Sequence, residues 1–497
     1  MYSPEEPSPS GATYRRELLR NQFWQILNFG SKAGFLILLT PMMISRWGSI
    51  RYGLFALASS LLVSMALLDG GIRSLTRIQM AEAAKRGDTE SLSRIYAEGI
   101  LTFASVSILA VIACSLLSWS GCLTTWFHLP KGGSGVLVLT VFCTAILMTS
   151  ILALEPLAAK GNLSTLKAAN TWGAMAAIPV CALLMFLGAG VGPVILTYAA
   201  SMTLPNLIMA WWKGLFALLP WSEFRRFRPA TALRTLHHGF WYYLTTVSLI
   251  GKTHALTFLV SAIAGPAEAG IFYILLRFSE IISNVASTSS ETSLAVLTAD
   301  ANERERHDDF LQSWLHVALF SITGALMFLF LTDQLLVLWL HGAVSIPTHI
   351  GLGLALFGLS GAFSRVVMNS SMGLDLTRPA ALAGLAEALI GILAAYAGYH
   401  AGGLTGLLLG GSLGFLCLLP VSSRVSHRCG FQHAGSWVIS LYPLIPGFLL
   451  SGAILYAGSL STHGATFLGA LFLVGAITVW QLRMIPGRVK RTDRVLR

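Results

Sequence analysis

The sequence predicts an all-α polytopic membrane protein of about fourteen transmembrane helices, two six-helix halves followed by two extra C-terminal helices. Three observations predict it. The composition is 55% hydrophobic and only 11% charged, with a mean hydropathy of +0.69, far too apolar for a water-soluble chain of 497 residues. Apolar segments of roughly 20 residues, long enough to cross a ~30 Å hydrocarbon core as helices, recur near 22–45, 52–72, 95–118, 135–158, 168–188, 191–213, 241–263, 268–298, 310–331, 349–370, 380–400, 403–422, 436–457 and 465–483. The start of the first half is also echoed at the start of the second.

In chain order, residues 1–20 are a cytoplasmic tail, rich in Pro, Ser and Gly and then basic at Arg15, Arg16 and Arg20. The first span runs too long for a signal peptide and lacks a small-x-small cleavage site. Its cytoplasmic half carries Asn21, Gln25, Asn28 and Lys32 within about 60° of one another at 100° per residue. Residues 21–213 form the N-terminal lobe. Within it, the 73–94 connection sets Arg73, Arg77, Lys85, Arg86 and Arg94 against Glu82, Asp88 and Glu90, which reads as a solvated helical face. The linker 214–240 mixes Arg225, Arg226, Arg228 and Arg234 with Trp221, Phe224, Phe227 and Phe240, a combination that favours anionic lipid headgroups. The C-terminal lobe covers 241–425, the two extra spans 436–483, and a basic cytoplasmic tail 484–497.

The internal echo has three parts. Trp241, Thr245, Ser248 and Lys252 repeat the spacing of Asn21, Gln25, Asn28 and Lys32, so each half begins with a helix holding a lysine. Gly48-Ser-Ile-Arg-Tyr-Gly53-Leu-Phe55 is matched by Gly265-Pro-Ala-Glu-Ala-Gly270-Ile-Phe272, and the Gly161 to Lys167-Ala168-Ala169 loop by Gly373 to Arg378-Pro379-Ala380. Three matches in one order argue for duplication of six helices.

Charge fixes the orientation. The net charge of +11 raises the question of nucleic acid, but its distribution answers it. With the N-terminus inside, three of the 33 Lys and Arg lie outside (Arg46, Arg51, Lys131), four lie within helices (Lys32, Lys252, Arg277, Arg365), and the rest are cytoplasmic. This is the positive-inside bias, and it places both termini in the cytoplasm. Trp47, Trp119, Trp126, Trp211, Trp212, Trp241, Trp339, Trp437 and Trp480 stand near span ends, as an aromatic belt does. The six cysteines include no C-x-x-C, so no disulfide framework, metal site or cofactor is expected.

The working centre is placed between Trp241 and Glu291, where ionisable side chains interrupt apolar spans. Thr245, Ser248 and Lys252 share one face, while His254 falls roughly 200° from Lys252 and cannot line the same cavity. Arg277, Glu280, Asn284, Thr288 and Glu291 form a stripe on the next helix. A charge at mid-bilayer costs at least ~2.5–3.5 kcal/mol, so such residues face a bundle interior or a wet pathway. The plain alternative is an i,i+3 pair between Arg277 and Glu280 that only fixes packing.

Leu39-Thr-Pro41 to Gly53-Leu-Phe-Ala-Leu57, Leu68-Asp69-Gly70-Gly71-Ile72 followed by Arg77 and Arg86-Gly87-Asp88, and Gly265 to Gly270-Ile-Phe-Tyr273 with Arg277 carry a family resemblance. Over about residues 18–425 the chain resembles the multidrug/oligosaccharidyl-lipid/polysaccharide exporter superfamily, in its polysaccharide transporter branch of O-antigen-type flippases. The resemblance implies two pseudo-symmetric six-helix lobes around a central cavity in a bacterial cytoplasmic (inner) membrane. It also implies movement of a polyprenyl-diphosphate-linked oligosaccharide from the inner to the outer leaflet. The two C-terminal helices resemble those of the lipid II flippase branch, whose first-helix residues are not matched here.

Under that implication Lys32, Lys252, Arg277 and Arg365 are the cations for a diphosphate, and Asn28, Ser248 and Asn284 the cavity polar groups. Glu280, Glu155, Glu291 and Glu387 are candidates for proton or sodium coupling. No catalytic residue is assigned. Partners are the lipid-linked oligosaccharide, membrane lipids, and a polysaccharide polymerase and glycosyltransferases. The second reading is a multidrug or cation-coupled antiporter, which would favour deep acids over deep bases. The third is a glycan polymerase or ligase, which would need acids, bases or metals in outer loops that are short here.

Overall fold

A computed structural model of the chain describes residues 11–64, 72–159, 162–219, 240–241, 243–297, 303–340, 350–374 and 376–429. The spans expected at 436–457 and 465–483, most of the 214–240 linker, residues 1–10 of the N-terminal tail and the C-terminal tail lie outside them, whereas residues 11–20 of the expected tail are helical and continuous with the first span. The described residues form helices and short turns, without a strand. Seven of their helices are long and apolar enough to cross a membrane. Ile108, Leu109, Ile112 and Leu116 stand exposed on one of these, a row of large apolar side chains that only an apolar solvent accommodates. Trp119, Trp126, Trp211 and Trp212 are exposed at or near helix ends, where ring and N–H meet a membrane interface.

The chain divides into two compact units, residues 1–243 with 261–270, and residues 244–260 with 271–497. The first is built from α1 (Gly11–Ser64), α2 (Ile72–Lys85), α3 (Thr89–Trp119), α4 (Cys122–Trp126), α5 (Gly133–Leu152), α6 (Glu155–Ala159), α7 (Leu163–Phe186) and α8 (Val191–Trp212). α1 joins the first two expected spans across a kink at Gly48, whose φ of 74° only glycine adopts without strain. Between α2 and α3 the Arg86-Gly87-Asp88 turn closes because Asp88 caps α3 by accepting from the Ser91 N–H at 2.9 Å. Hydrogen bonding from the Ser91 side chain, and then from its backbone N–H, holds the Asp88 carboxyl below its ordinary range. The unit's core gathers Ile72, Phe103 and Leu152 in one cluster, Leu147, Ala174 and Met202 in another, and Ala153, Leu154, Leu166 and Ala210 in a third.

The echoed glycines meet inside this unit. Gly265 has φ 88°, matching the kink at Gly48. A Cβ on Gly53 would stand 1.7 Å from the Pro266 carbonyl oxygen, and one on Gly270 would stand 3.1 Å from the Gly53 Cα. The two copies of one motif thus cross at their glycines, a backbone approach that no larger residue permits.

In the second unit a π turn (Val247–Gly251) leads into α9 (Lys252–Ala264), and residues 261–270, at the end of α9 and the start of the next helix, belong to the first unit. α9 is followed by α10 (Pro266–Leu297), α11 (Glu303–Leu340), α12 (Ile350–Gly373), α13 (Thr377–Leu413) and α14 (Leu419–Arg428). α13 joins two expected spans across a break at Gly402 and Gly403. Its core gathers Leu311, Leu315, Leu319, Val367, Met368, Leu418, Val421 and Val425.

Candidate functional site

The cavity of the first unit holds about 310 Å³ and is lined from α1, α2, α3, α5, α7 and α8. Lys32 and Asn28 enter it from α1, Arg73 from α2, Lys167 and Asn170 from α7, and Tyr198 from α8. The remaining wall is apolar, including Leu62, Phe103, Leu147, Met148, Ile151 and Met202. Among the described residues no carboxylate lines it. Lys32 is exposed there, without an ion-pair partner among the described residues. Asn170 Oδ1 accepts from Asn206 Nδ2 at 3.4 Å, and the same Asn206 amide donates to Ser150 Oγ at 3.2 Å. The Asn170 Oδ1 is thereby used within the unit, which leaves its Nδ2 as the group not engaged by Asn206.

Arg73 departs from the sequence reading. The 73–94 stretch reads as a solvated face, yet Arg73 and Arg77, one turn apart on α2, both donate to Glu155, which is fully buried at the start of α6. Arg73 binds Oε1 through Nε. Arg77 reaches Oε2 through Nε at 2.6 Å and Oε1 through Nη2 at 2.9 Å. Mixed charge in a short connection reads as surface in a sequence. The signal that points inward is the i,i+4 spacing of two arginines beside the fourth span's buried acid.

The second unit holds a smaller polar cavity, about 30 Å³, room for water rather than a headgroup. Ser248, Lys252, Glu280, Arg365 and Glu387 line it together, with Ser279, Ser283 and Ser364. Lys252 Nζ donates to Glu387 Oε1 at 2.6 Å, Ser364 Oγ donates to the same oxygen at 2.6 Å, and the ammonium lies 5.7 Å from the Phe357 ring centroid. Arg277 is paired with Glu280 as its i,i+3 spacing allows, donates to Tyr273 Oη at 2.5 Å, and lies over that ring. His254 does not line this cavity; its Nε2 is 3.9 Å from Glu280 Oε1.

The sequence-derived residues are therefore divided. Asn28 and Lys32 share one cavity; Ser248, Lys252, Arg365, Glu280 and Glu387 share the other, with Arg277 bound to Glu280; Glu155 belongs to neither lining. Asn284 and Glu291 lie on α10, and their side chains are outside the described ones. Arg73, Lys167, Asn170 and Tyr198 escape the sequence reading. Among the described residues no group of His, Cys, Asp and Glu could hold a metal.

No protein-family model and no curated protein matches the sequence. Solved structures do match its fold. The lipid II flippase MurJ in an inward closed conformation aligns at a TM-score of 0.66 and 14% identity, covering 94% of this chain and 99% of that one. The MATE multidrug transporter DinF-BH aligns at 0.64 and 13%, covering 86% and 99%. An inward-facing multidrug resistance MATE family transporter of the MOP superfamily aligns at 0.63 and 15%, covering 81% and 95%.

Proposed function

Starting from the fold this chain shares with the multidrug/oligosaccharidyl-lipid/polysaccharide exporter superfamily, we propose that it is a flippase. It moves a polyprenyl-diphosphate-linked oligosaccharide from the inner to the outer leaflet by alternating access, for surface polysaccharide assembly. The observation that supports this reading is the cationic cavity of the first unit, free of acids among the described residues. Lys32 and Lys167 each supply a positive charge and Arg73 and Arg77, sharing the single Glu155 carboxylate, leave one more, while Asn28, Asn170 and Tyr198 supply polar groups and the apolar wall suits an isoprenoid. Such a lining attracts a diphosphate and repels a cationic drug, which disfavours the antiporter reading. Arginine adds a planar fork for phosphate and lysine a point charge.

The second unit supports a different role. Its lysine and one of its arginines are bound to carboxylates, so Lys252 and Arg277 contribute little net charge to an anion. Glu280 and Glu387, facing a water-sized cavity, stay the candidates for proton or sodium coupling. With both termini in the cytoplasm, an inside-negative potential drives an anion outward at ~2.3 kcal/mol per charge per 100 mV.

The test uses the full chain in proteoliposomes with an NBD-labelled polyprenyl-diphosphate oligosaccharide, reading loss of inner-leaflet fluorescence on dithionite addition. Flipping that rises with an imposed inside-negative potential is the expected result. Absence of flipping together with export of a cationic dye would replace this reading with the antiporter.

A further inference from the structure

Arg73 is held through the inner nitrogen of its guanidinium. Its inner Nε binds the buried Glu155, whereas Nη1 and Nη2 have no partner among the described residues, and the side chain, about a third exposed, lines the cationic cavity. Arg77 instead spends Nε and Nη2 on the same carboxylate. One carboxylate thus ties two arginines to α6 in different ways, and of the two only Arg73, whose Nη1 and Nη2 are not engaged by Glu155, lines the cavity.

We infer that Glu155 is a positioning residue that aims the terminal nitrogens of Arg73 at the lipid headgroup, and that Arg73 so placed makes the cavity prefer a diphosphate over a monophosphate carrier. This rests on the flippase reading of the same cavity and assigns Glu155 to orientation rather than ion coupling. A cation interacts with a ligand in proportion to the ligand's charge, so a third cation beyond Lys32 and Lys167 favours the more highly charged headgroup. The planar Nη pair also presents two donors in a fixed fork that matches two phosphate oxygens, a geometry that the rotating ammonium of a lysine does not impose.

Geometry and charge predict opposite signs for one substitution. Glu155→Gln removes a negative charge beside the cations. If only net charge mattered, prenyl phosphates would bind more tightly. If Glu155 aims Arg73, the diphosphate binds more weakly.

Detergent-solubilised full-length protein would be titrated with geranylgeranyl diphosphate and geranylgeranyl monophosphate, and the ratio of the two affinities compared between variants. A ratio is insensitive to the folded fraction. Glu155→Gln and Arg73→Gln are each expected to lower the diphosphate preference by about tenfold, the worth of one charge-assisted hydrogen bond, and Glu155→Asp to restore part of it. Arg73→Gln leaves the Arg77–Glu155 pair intact, so it reports even if Glu155→Gln fails to fold.

An unchanged ratio in Arg73→Gln, or tighter diphosphate binding in Glu155→Gln, would overturn the inference. If wild-type binding depends on Lys32 but not on Arg73 or Glu155, only this inference falls. If the wild type binds neither prenyl phosphate, the flippase reading falls and takes the inference with it.

Discussion

Replacing Lys252 by Ala is expected to destabilise the protein by about 3–5 kcal/mol, because it strands the Glu387 carboxylate in the interior. Both side chains are nearly sealed from solvent, at 6% and 2% exposure, and the carboxylate's remaining donor among the described residues is the Ser364 hydroxyl. The double substitution Lys252→Met with Glu387→Leu removes both charges and keeps similar volume. It is expected to recover most of the lost thermal stability. Unfolding followed by size-exclusion in detergent across a temperature series measures both. Equal losses in the single and the double variant would show that the pair is not the source of the cost.

The second large effect is functional. Lys32→Glu is expected to reduce flipping of a diphosphate-linked lipid at least ~100-fold while leaving abundance near wild type, since it replaces a charge-assisted contact by like-charge repulsion. Lys32 is exposed in its cavity and has no ion-pair partner among the described residues, so its change strands nothing. Lys32→Arg is expected to retain transport. This contrast with Lys252 is the sharpest difference between the two lysines that the sequence presents as equivalents. Loss of protein in Lys32→Glu, or undiminished flipping, would remove Lys32 from the headgroup site.

What can be read from the sequence follows the range of the interactions. The Arg277–Glu280 pair is local, three residues apart on one helix, and periodicity alone puts both on one stripe. Ser248 and Lys252 likewise fall on one face, and they line one cavity although Ser248 lies in the π turn that precedes Lys252. The glycine echo is legible because a backbone that needs positive φ leaves a glycine at the same place in each copy, as at Gly48 and Gly265. The partner of Lys252 is not legible, because Glu387 lies 135 residues away and nothing in either local pattern names the other.

Arg73 misleads for a related reason. A basic residue in a short charged connection looks solvated until the fold brings Glu155, 82 residues on, beneath it. The sequence presents four mid-span cations as one set, yet two of them are bound to carboxylates, and the first-unit cavity draws Arg73 and Lys167 from helix starts instead. Periodicity finds residues that share a face. It does not find charges that cancel across helices.

The most direct measurement of where the headgroup binds is photocrosslinking of the full-length protein with a diazirine-bearing prenyl diphosphate, followed by peptide mapping. The expected labels fall on the first unit, around Phe103, Leu147, Ile151, Tyr198 and Met202, and disappear in Lys32→Glu. Labelling confined to the second unit around Ser248 and Phe357, or labelling of the first unit that survives Lys32→Glu, would contradict the first unit's cationic cavity as the diphosphate site.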